Sequence, residues 1–289
     1  MNYEEEKKLV KNALPKVIHT EKTGSQIIEY ILDKYLEIPY INFAQFMKDQ
    51  NLSEDDANKF LTSNGYKDFS QFQHKFSELI ISLIPRIESV SCLSSTLTKS
   101  DIKNIFTSVA DAEAYNMRNL LDSIEIDKFS SLIHDILNSP EVIIIGTRSS
   151  ITLAQYASYM LNKIGVNVKK ITSADTSSFD NIQNFDRSSL VIAFGFKRYP
   201  KETIKLLNYF SRKNFKIISI TDNSSSPLCN FSSYSIYIQA YSLAYTDSFV
   251  NGMVLINALA LAIGKMDNKK VVKRLNDFEE TARSLEYYF

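Results

Sequence analysis

Two hydrophobic periods run along this chain, and one replaces the other near residue 140. In SQIIEYILDKYLEI the apolar residues Ile27, Ile28, Ile31, Leu32, Tyr35 and Leu36 recur at helical spacing, and Pro39 is the expected stop. INFAQFMKDQ repeats the pattern with Phe43, Phe46 and Met47. After a short break at Asn51–Leu52, Ser53 opens a helix whose apolar side is Phe60 and Leu61, with Gly65 as its C-terminal cap. DFSQFQHKFSELIISLI then predicts an amphipathic helix running up to Pro85. Helix, short turn and a second helix ended by glycine make a helix-turn-helix pattern.

From 86 to 138 the chain first turns to Ser and Thr (SVSCLSSTLTKS), which reads as a hinge. Helical spacing returns in IKNIFTSVADAEAYNMRNLLDSI and FSSLIHDILNS, read as connecting helices. From 141 short β-branched runs take over: EVIIIG, SLVIAFGF and FKIISITD, with VNVKKI and SYSIYI as further strands. Helical stretches, TLAQYASYMLNKIG and YPKETIKLLNYFSRKN, separate them. Strands alternating with helices predict an α/β fold, a parallel sheet covered on both faces, whose ligands sit at the strands' carboxyl ends.

Composition narrows the partners. Lys plus Arg and Asp plus Glu each total 33, so any pull toward a polyanion or an acidic membrane must be local. The two cysteines, Cys92 and Cys229, form no metal or disulfide motif, which suits a reducing compartment. MNYEEEKKLV lacks the apolar centre of a signal peptide, and MVLINALALAIG is too short for a bilayer of roughly 20 residues. The expectation is a cytoplasmic protein with no membrane partner.

The strand ends carry the candidate chemistry. In IIIGTRSS a glycine ends the strand, and Thr147, Ser149 and Ser150 bring hydroxyls to a helix N-terminus, where an anion is favoured. Ser149 or Ser150 acting only as a helix cap is the plainer alternative. In IAFGFKRYPKET, Lys197 and Arg198 follow the strand and Pro200 stands at the expected first helical position; the two cations make a possible phosphate clamp or a solvated turn. ITDNSSSPL is a Ser-rich loop, and in YTDSFVNG Asp247 or Ser248 is placed to cap the next helix. The histidines, His19, His74 and His134, all fall in predicted helices outside the strand-rich region. No metal pair and no Ser–His–Asp set follows, and no cofactor is expected.

With these parts in this order, the chain resembles the RpiR-type transcriptional regulators, which join a helix-turn-helix domain to a sugar isomerase (SIS) domain. INFAQFMKDQNLSEDDANKFLTSNGYKDFSQF, with Gly65, Tyr66 and Phe69, carries the resemblance in the first half. IIIGTRSSITLAQYASYMLNKIG, VIAFGFKRYPKET, IISITDNSSSPL and DSFVNGMVLINAL carry it in the second. It implies an all-α helix-turn-helix domain over 1–85, connecting helices over 86–138, and a doubly wound parallel-sheet SIS domain over 139–289. It further implies operator DNA as a partner, a small anionic or phosphosugar effector, and a homodimer or dimer of dimers formed through the SIS domain. The effector contacts are then Thr147, Ser149, Ser150, Lys197, Arg198, Asp247 and Ser248. The DNA contacts are Ser53, Asp55, Asp56, Lys59, Ser63, Asn64 and Lys67.

Two departures from the family pattern stand out. Its S-x-S-G-x-T loop is matched here by Gly195 to Pro200, without the three hydroxyls. Its recognition-helix Thr and Arg-Phe pair are matched by Asp56, Lys59 and Phe60. Residues 1–90 hold 11 Lys and Arg against 14 Asp and Glu. Since phosphate neutralisation dominates DNA affinity, a sensor with a degenerate helix-turn-helix is the first alternative. A phosphosugar isomerase is the second.

Overall fold

The computed structural model describes residues 3–21, 23–83, 99–175, 180, 182–242 and 246–287. It divides into two compact units, one of Met1–Asn116 with Tyr241–Tyr245 and one of Met117–Ala240 with Thr246–Phe289.

The first unit is helical: α1 (Tyr3–Ala13), α2 (Ser25–Asp33), α3 (Phe43–Gln50), α4 (Glu54–Ser63) and α5 (Phe69–Leu83), joined by the first part of α6 (Lys99–Ser123). α2 stops at Lys34, well short of Pro39, because the chain tightens there into a turn and a 3-10 helix, Ile38–Tyr40. Tyr35 and Leu36 are buried by that turn rather than by helical periodicity. Pro85 and most of the Ser/Thr-rich hinge, residues 84–98, lie outside the described residues.

Rings hold α3, α4 and α5 together. Phe72 lies 5.3 Å from Phe60, 5.5 Å from Tyr66 and 5.8 Å from both Phe69 and Phe76, centroid to centroid. Phe46 joins them through Phe69 at 5.1 Å and Phe60 at 5.7 Å. Such pairs each contribute about 0.5–1.5 kcal/mol beyond the area they bury.

The second unit holds the rest of α6, α7 (Ile126–Asn138) and five parallel strands. These are β1 (Val142–Ile145), β2 (Val168–Ile171), β3 (Leu190–Phe194), β4 (Lys216–Thr221) and β5 (Tyr234–Tyr237), ordered β2-β1-β3-β4-β5. Alternation along the strands builds two cores. Val142, Ile144, Ile192, Phe194, Ile218 and Ile236 face α7, α8 (Ile151–Lys163) and α10 (Val250–Met266). Ile143, Ile145, Val191, Ala193 and Ile217 face α9 (Lys201–Arg212). α11 (Asn268–Ser284) ends the unit. This is the doubly wound sheet expected from the alternating runs.

Candidate functional sites

In the helical unit, α3 and α4 are joined by Asn51–Ser53. Asn51 takes the left-handed conformation (φ 49°) that such a turn requires. Ser53 caps α4: its Oγ accepts from the Asp56 amide at 3.1 Å and donates to the Asp56 carboxylate at 2.7 Å. At the other end Gly65 sits at φ 81°, with Tyr66 N–H donating to Leu61 O and Gly65 N–H to Thr62 O. That paired pattern is a Schellman cap, which an L side chain at Gly65 would strain.

α4 is thus cut to length at both ends by its own sequence. Its outer face presents Asp55, Asn58, Lys59 and Thr62 at i, i+3, i+4 and i+7, all exposed. Lys59 is drawn back to Asp56 at 3.1 Å. Bonds from Ser53 first and Lys59 second lower the Asp56 pKa. Ser63 and Lys67 are exposed; the Ser63 hydroxyl returns to Phe60 O at 3.0 Å and the Lys67 amide donates to Gln71.

Asn64 is a correction. It is 8% exposed; its Oδ1 accepts from the His19 amide, and its Nδ2 donates to Phe60 O at 2.7 Å and Thr23 Oγ1 at 3.2 Å. It ties the end of α4 to the segment after α1 and does not face a ligand. Asn58 and Thr62, which sequence reasoning passed over, occupy the outer face instead.

In the sheet unit the chain leaves β1 toward β2 and leaves β3 toward β4, on opposite sides. Adjacent strands whose connections diverge open a crevice at their carboxyl ends, the usual ligand position in such sheets. The loops Gly146–Ser150 and Gly195–Pro200 border it. A Cβ on Gly146 would stand 2.5 Å from Ser150 O, so only glycine lets the chain turn this tightly from β1 into α8.

Thr147 is fully buried and its Oγ1 bonds Thr203 Oγ1 at 2.8 Å, which links the start of α9 to the β1 loop. Ser150 is buried at the N-cap of α8 without a side-chain cap bond, and Ser149 is exposed. Arg148, between them, is exposed at φ 56°. Lys197 and Arg198 are exposed as well, Arg198 at φ 73°, and among the described residues neither forms an ion pair. Two arginines held left-handed, each on one lip of the crevice, store strain of about 1–3 kcal/mol apiece, of the kind that collects at binding sites.

Pro200 is the N-cap of α9 rather than its first helical residue, because its ψ of 132° is extended. The exchanged loop also hides a hydroxyl. Tyr199 donates to Asp222 Oδ1 at 2.7 Å, and burial, reinforced by that carboxylate, pushes its pKa up to about 12. Thr221 bonds Asp222 at 3.1 Å and Ser226 at 2.8 Å. The polar lining missed from sequence is therefore Arg148, Tyr199, Thr203 and Asp222, all of which stood inside motifs already singled out but were not themselves picked as contacts.

Phe196 packs on Phe249 at 5.7 Å, so the β3 loop and the start of α10 share a wall. The N-cap position of α10 is Phe249; the Ser248 hydroxyl accepts from the Val250 amide at 3.3 Å, while Asp247 is half-buried just before it. His134 belongs with the sheet unit, contrary to its expected placement, since α7 packs on β5 and α10. It is exposed one turn before α7 leads into the amino end of β1, opposite the crevice. Among the described residues no group of three or more His, Cys, Asp or Glu could hold a metal. No single helix among them is long and apolar enough to cross a bilayer.

The class of the sheet unit follows from this geometry. Residues 135–262 match the SIS domain family, and this part of the chain is an SIS domain. Similarity to known proteins extends through both units. An uncharacterized HTH-type transcriptional regulator from Clostridium perfringens is 26% identical over 275 residues, covering 90% of this chain and 92% of that protein. The Vibrio vulnificus NanR protein complexed with ManNAc-6P superposes with a TM-score of 0.58 at 15% identity, over 98% of this chain and 99% of that one. The sugar isomerase domain of an RpiR transcription factor from Sphaerobacter thermophilus gives a TM-score of 0.58 at 18% identity, over 60% and 97%.

Proposed function

We propose that this protein is a DNA-binding transcriptional regulator whose SIS domain senses a small anionic metabolite, a phosphorylated sugar or close analogue, without turning it over. The observation that carries the reading is α3–Asn51–α4, a fully capped helix-turn-helix in the same chain as an SIS domain. The relative from C. perfringens, named as an HTH-type regulator and aligned through both domains, supports it.

Arg148, Lys197 and Arg198 supply the anion contacts, with Ser149 as a hydroxyl donor. Thr147 shapes the crevice through Thr203 rather than meeting the ligand. Asp247 and Ser248 close the wall shared with Phe196. Catalysis is not part of the reading: of the carboxylates near the crevice, Asp222 is engaged by Tyr199 and Thr221, and Asp247 stands in the wall beside Phe249. The protein acts as a cytoplasmic homodimer, so that two recognition helices meet two half-sites.

One observation favours the sensor reading without DNA. Glu54 and Asp55 are exposed at the start of α4, the end that meets base edges, and Lys59 is committed to Asp56. Binding to the DNA upstream of its own gene, titrated against salt, decides between the two. Retained affinity that falls with salt supports the regulator; no binding at low salt leaves the sensor. In parallel, phosphosugars should raise the melting temperature of the wild type and not of Arg148→Ala or Arg198→Ala. An unchanged ligand response in both variants removes those residues from the site.

A further inference from the structure

The zero net charge of the chain conceals a division. Met1–Asn116 with Tyr241–Tyr245 holds 13 Lys and Arg against 17 Asp and Glu, and the rest holds 20 against 16. The positive excess belongs to the SIS unit, and it is concentrated. Residues 163–170 and 265–274 together carry eight cations and one acid, Asp267.

The fold brings these two segments together on the edge of the sheet, away from the strand-end crevice. A cavity of about 400 Å³ between α8, β2 and α11 is lined by Lys163, Lys170 and Arg274 and by no carboxylate. A second, of about 360 Å³, shares Asn162 and Arg274 with it and adds Lys270, Lys273 and the lone acid Asp277. The two form one groove.

Its cations are held in place. Gly165 turns left-handed (φ 87°) after α8, and a Cβ there would press on the Arg274 stem at 3.3 Å, so the turn packs directly against that side chain. Lys163 Nζ sits 2.9 Å from the centroid of the Phe278 ring. Guarding an edge strand against pairing accounts for Lys169 and Lys170, but not for cations on a helix one element away.

We propose that this groove binds the phosphate backbone of a nucleic-acid duplex. The inference rests on the DNA-binding reading above and supplies what that reading lacks, a positive surface to offset the acidic start of α4. Backbone binding asks for clustered cations with neutral donors between them, here Tyr159, Asn162 and Asn167. A lipid surface fits less well. Val271, Phe278 and Ala282 of α11 are buried or half-buried, and its exposed apolar residues, Val272 and Leu275, do not line the groove, which offers acyl chains no continuous apolar face.

The test uses the full chain and a mixed-sequence duplex of about 30 base pairs, with affinity followed against salt. Replacing Lys170, Lys273 and Arg274 together by Gln should flatten the slope of log affinity on log salt by about 2–3 and weaken binding at least about tenfold at moderate salt. The charge-keeping set Lys170→Arg, Lys273→Arg, Arg274→Lys should restore both. Lys273→Gln alone, at an exposed position, should flatten the slope by about 0.9 even if the triple variant folds poorly. Wild-type binding with a slope that the Gln variants leave unchanged overturns the groove and spares the regulator reading. No wild-type binding at low salt overturns both. Loss of binding to phosphatidylserine vesicles, with duplex binding intact, overturns the proposal in favour of a lipid surface.

Discussion

The two units solve the problem of a core with different chemistry. The helical unit packs phenylalanine against phenylalanine in tilted, stacked and edge-to-face pairs, with Phe46, Phe60, Phe69, Phe72 and Phe76 all within one cluster. The sheet unit packs β-branched aliphatics, and its central strands β1 and β3 are buried on both faces, Ile143, Ile144 and Ile145 to 0%. Short helices of 8 and 10 residues bury few side chains each, so large rings reach between them. A parallel sheet needs side chains that fill the space between pleats, which branched residues do. The polar groups divide in the same way. In the helical unit they cap and tie, as Ser53 and Asn64 do, whereas in the sheet unit buried hydroxyls gather near strand ends, as Thr147, Thr203 and Thr221 do.

The largest effect expected from breaking this contrast is at Phe72. It is fully buried and touches four other rings, so Phe72→Ala should cost about 3–5 kcal/mol, more than a cluster on short helices can absorb. Calorimetry should show the helical unit melting early while the SIS unit keeps its transition and its phosphosugar response. A single, uniformly lowered transition would mean that the two units do not melt separately.

The buried hydroxyl pair tests the other half. Thr147→Val leaves the Thr203 hydroxyl buried without its partner, at a cost of about 1–3 kcal/mol. Adding Thr203→Val should recover most of that loss, since two apolar groups of the same shape replace a matched polar pair. Denaturant midpoints of the two single variants and the double variant check it. If the losses simply add, the two hydroxyls do not stabilise each other.

Most of the architecture was legible because it is written in local periods. Strand alternation, the Ser53 cap and the Gly65 terminus each depend on a few neighbouring residues. The site was less legible, because its chemistry arises from residues that only the fold brings together. Thr203 meets Thr147 across 56 positions, and Tyr199 meets Asp222 across 23. Nothing in YPKET marks Thr203 as a buried tie. Asn64 misled for the same reason: a polar residue at a helix end reads as exposed until the segment after α1 closes over it. Pro39 misled differently, because a proline reports where a helix cannot continue and not where it stops.

The smallest expected effect concerns Glu78, a partly buried carboxylate in the helical unit whose pKa is strongly depressed. Glu78 Oε1 lies 3.3 Å from His74 Nε2 and Oε2 lies 3.0 Å from Lys75 Nζ. His74 itself is buried between the rings of Tyr115, at 4.6 Å, and Tyr241, at 4.3 Å. Burial by itself would raise the Glu78 pKa, but the close approach of His74 and the Lys75 ammonium outweigh it and hold the value at about 2. A carboxyl depressed on folding adds stability above its ordinary value of 4.5, and that stability is lost as pH falls toward 2. Glu78→Gln should therefore lower the melting temperature modestly at neutral pH, because the carboxylate is still partly exposed and screened. The gap to the wild type should close between about pH 4.5 and 2. A gap that stays constant down to the acid limit would mean that Glu78 contributes through its shape and not through its charge.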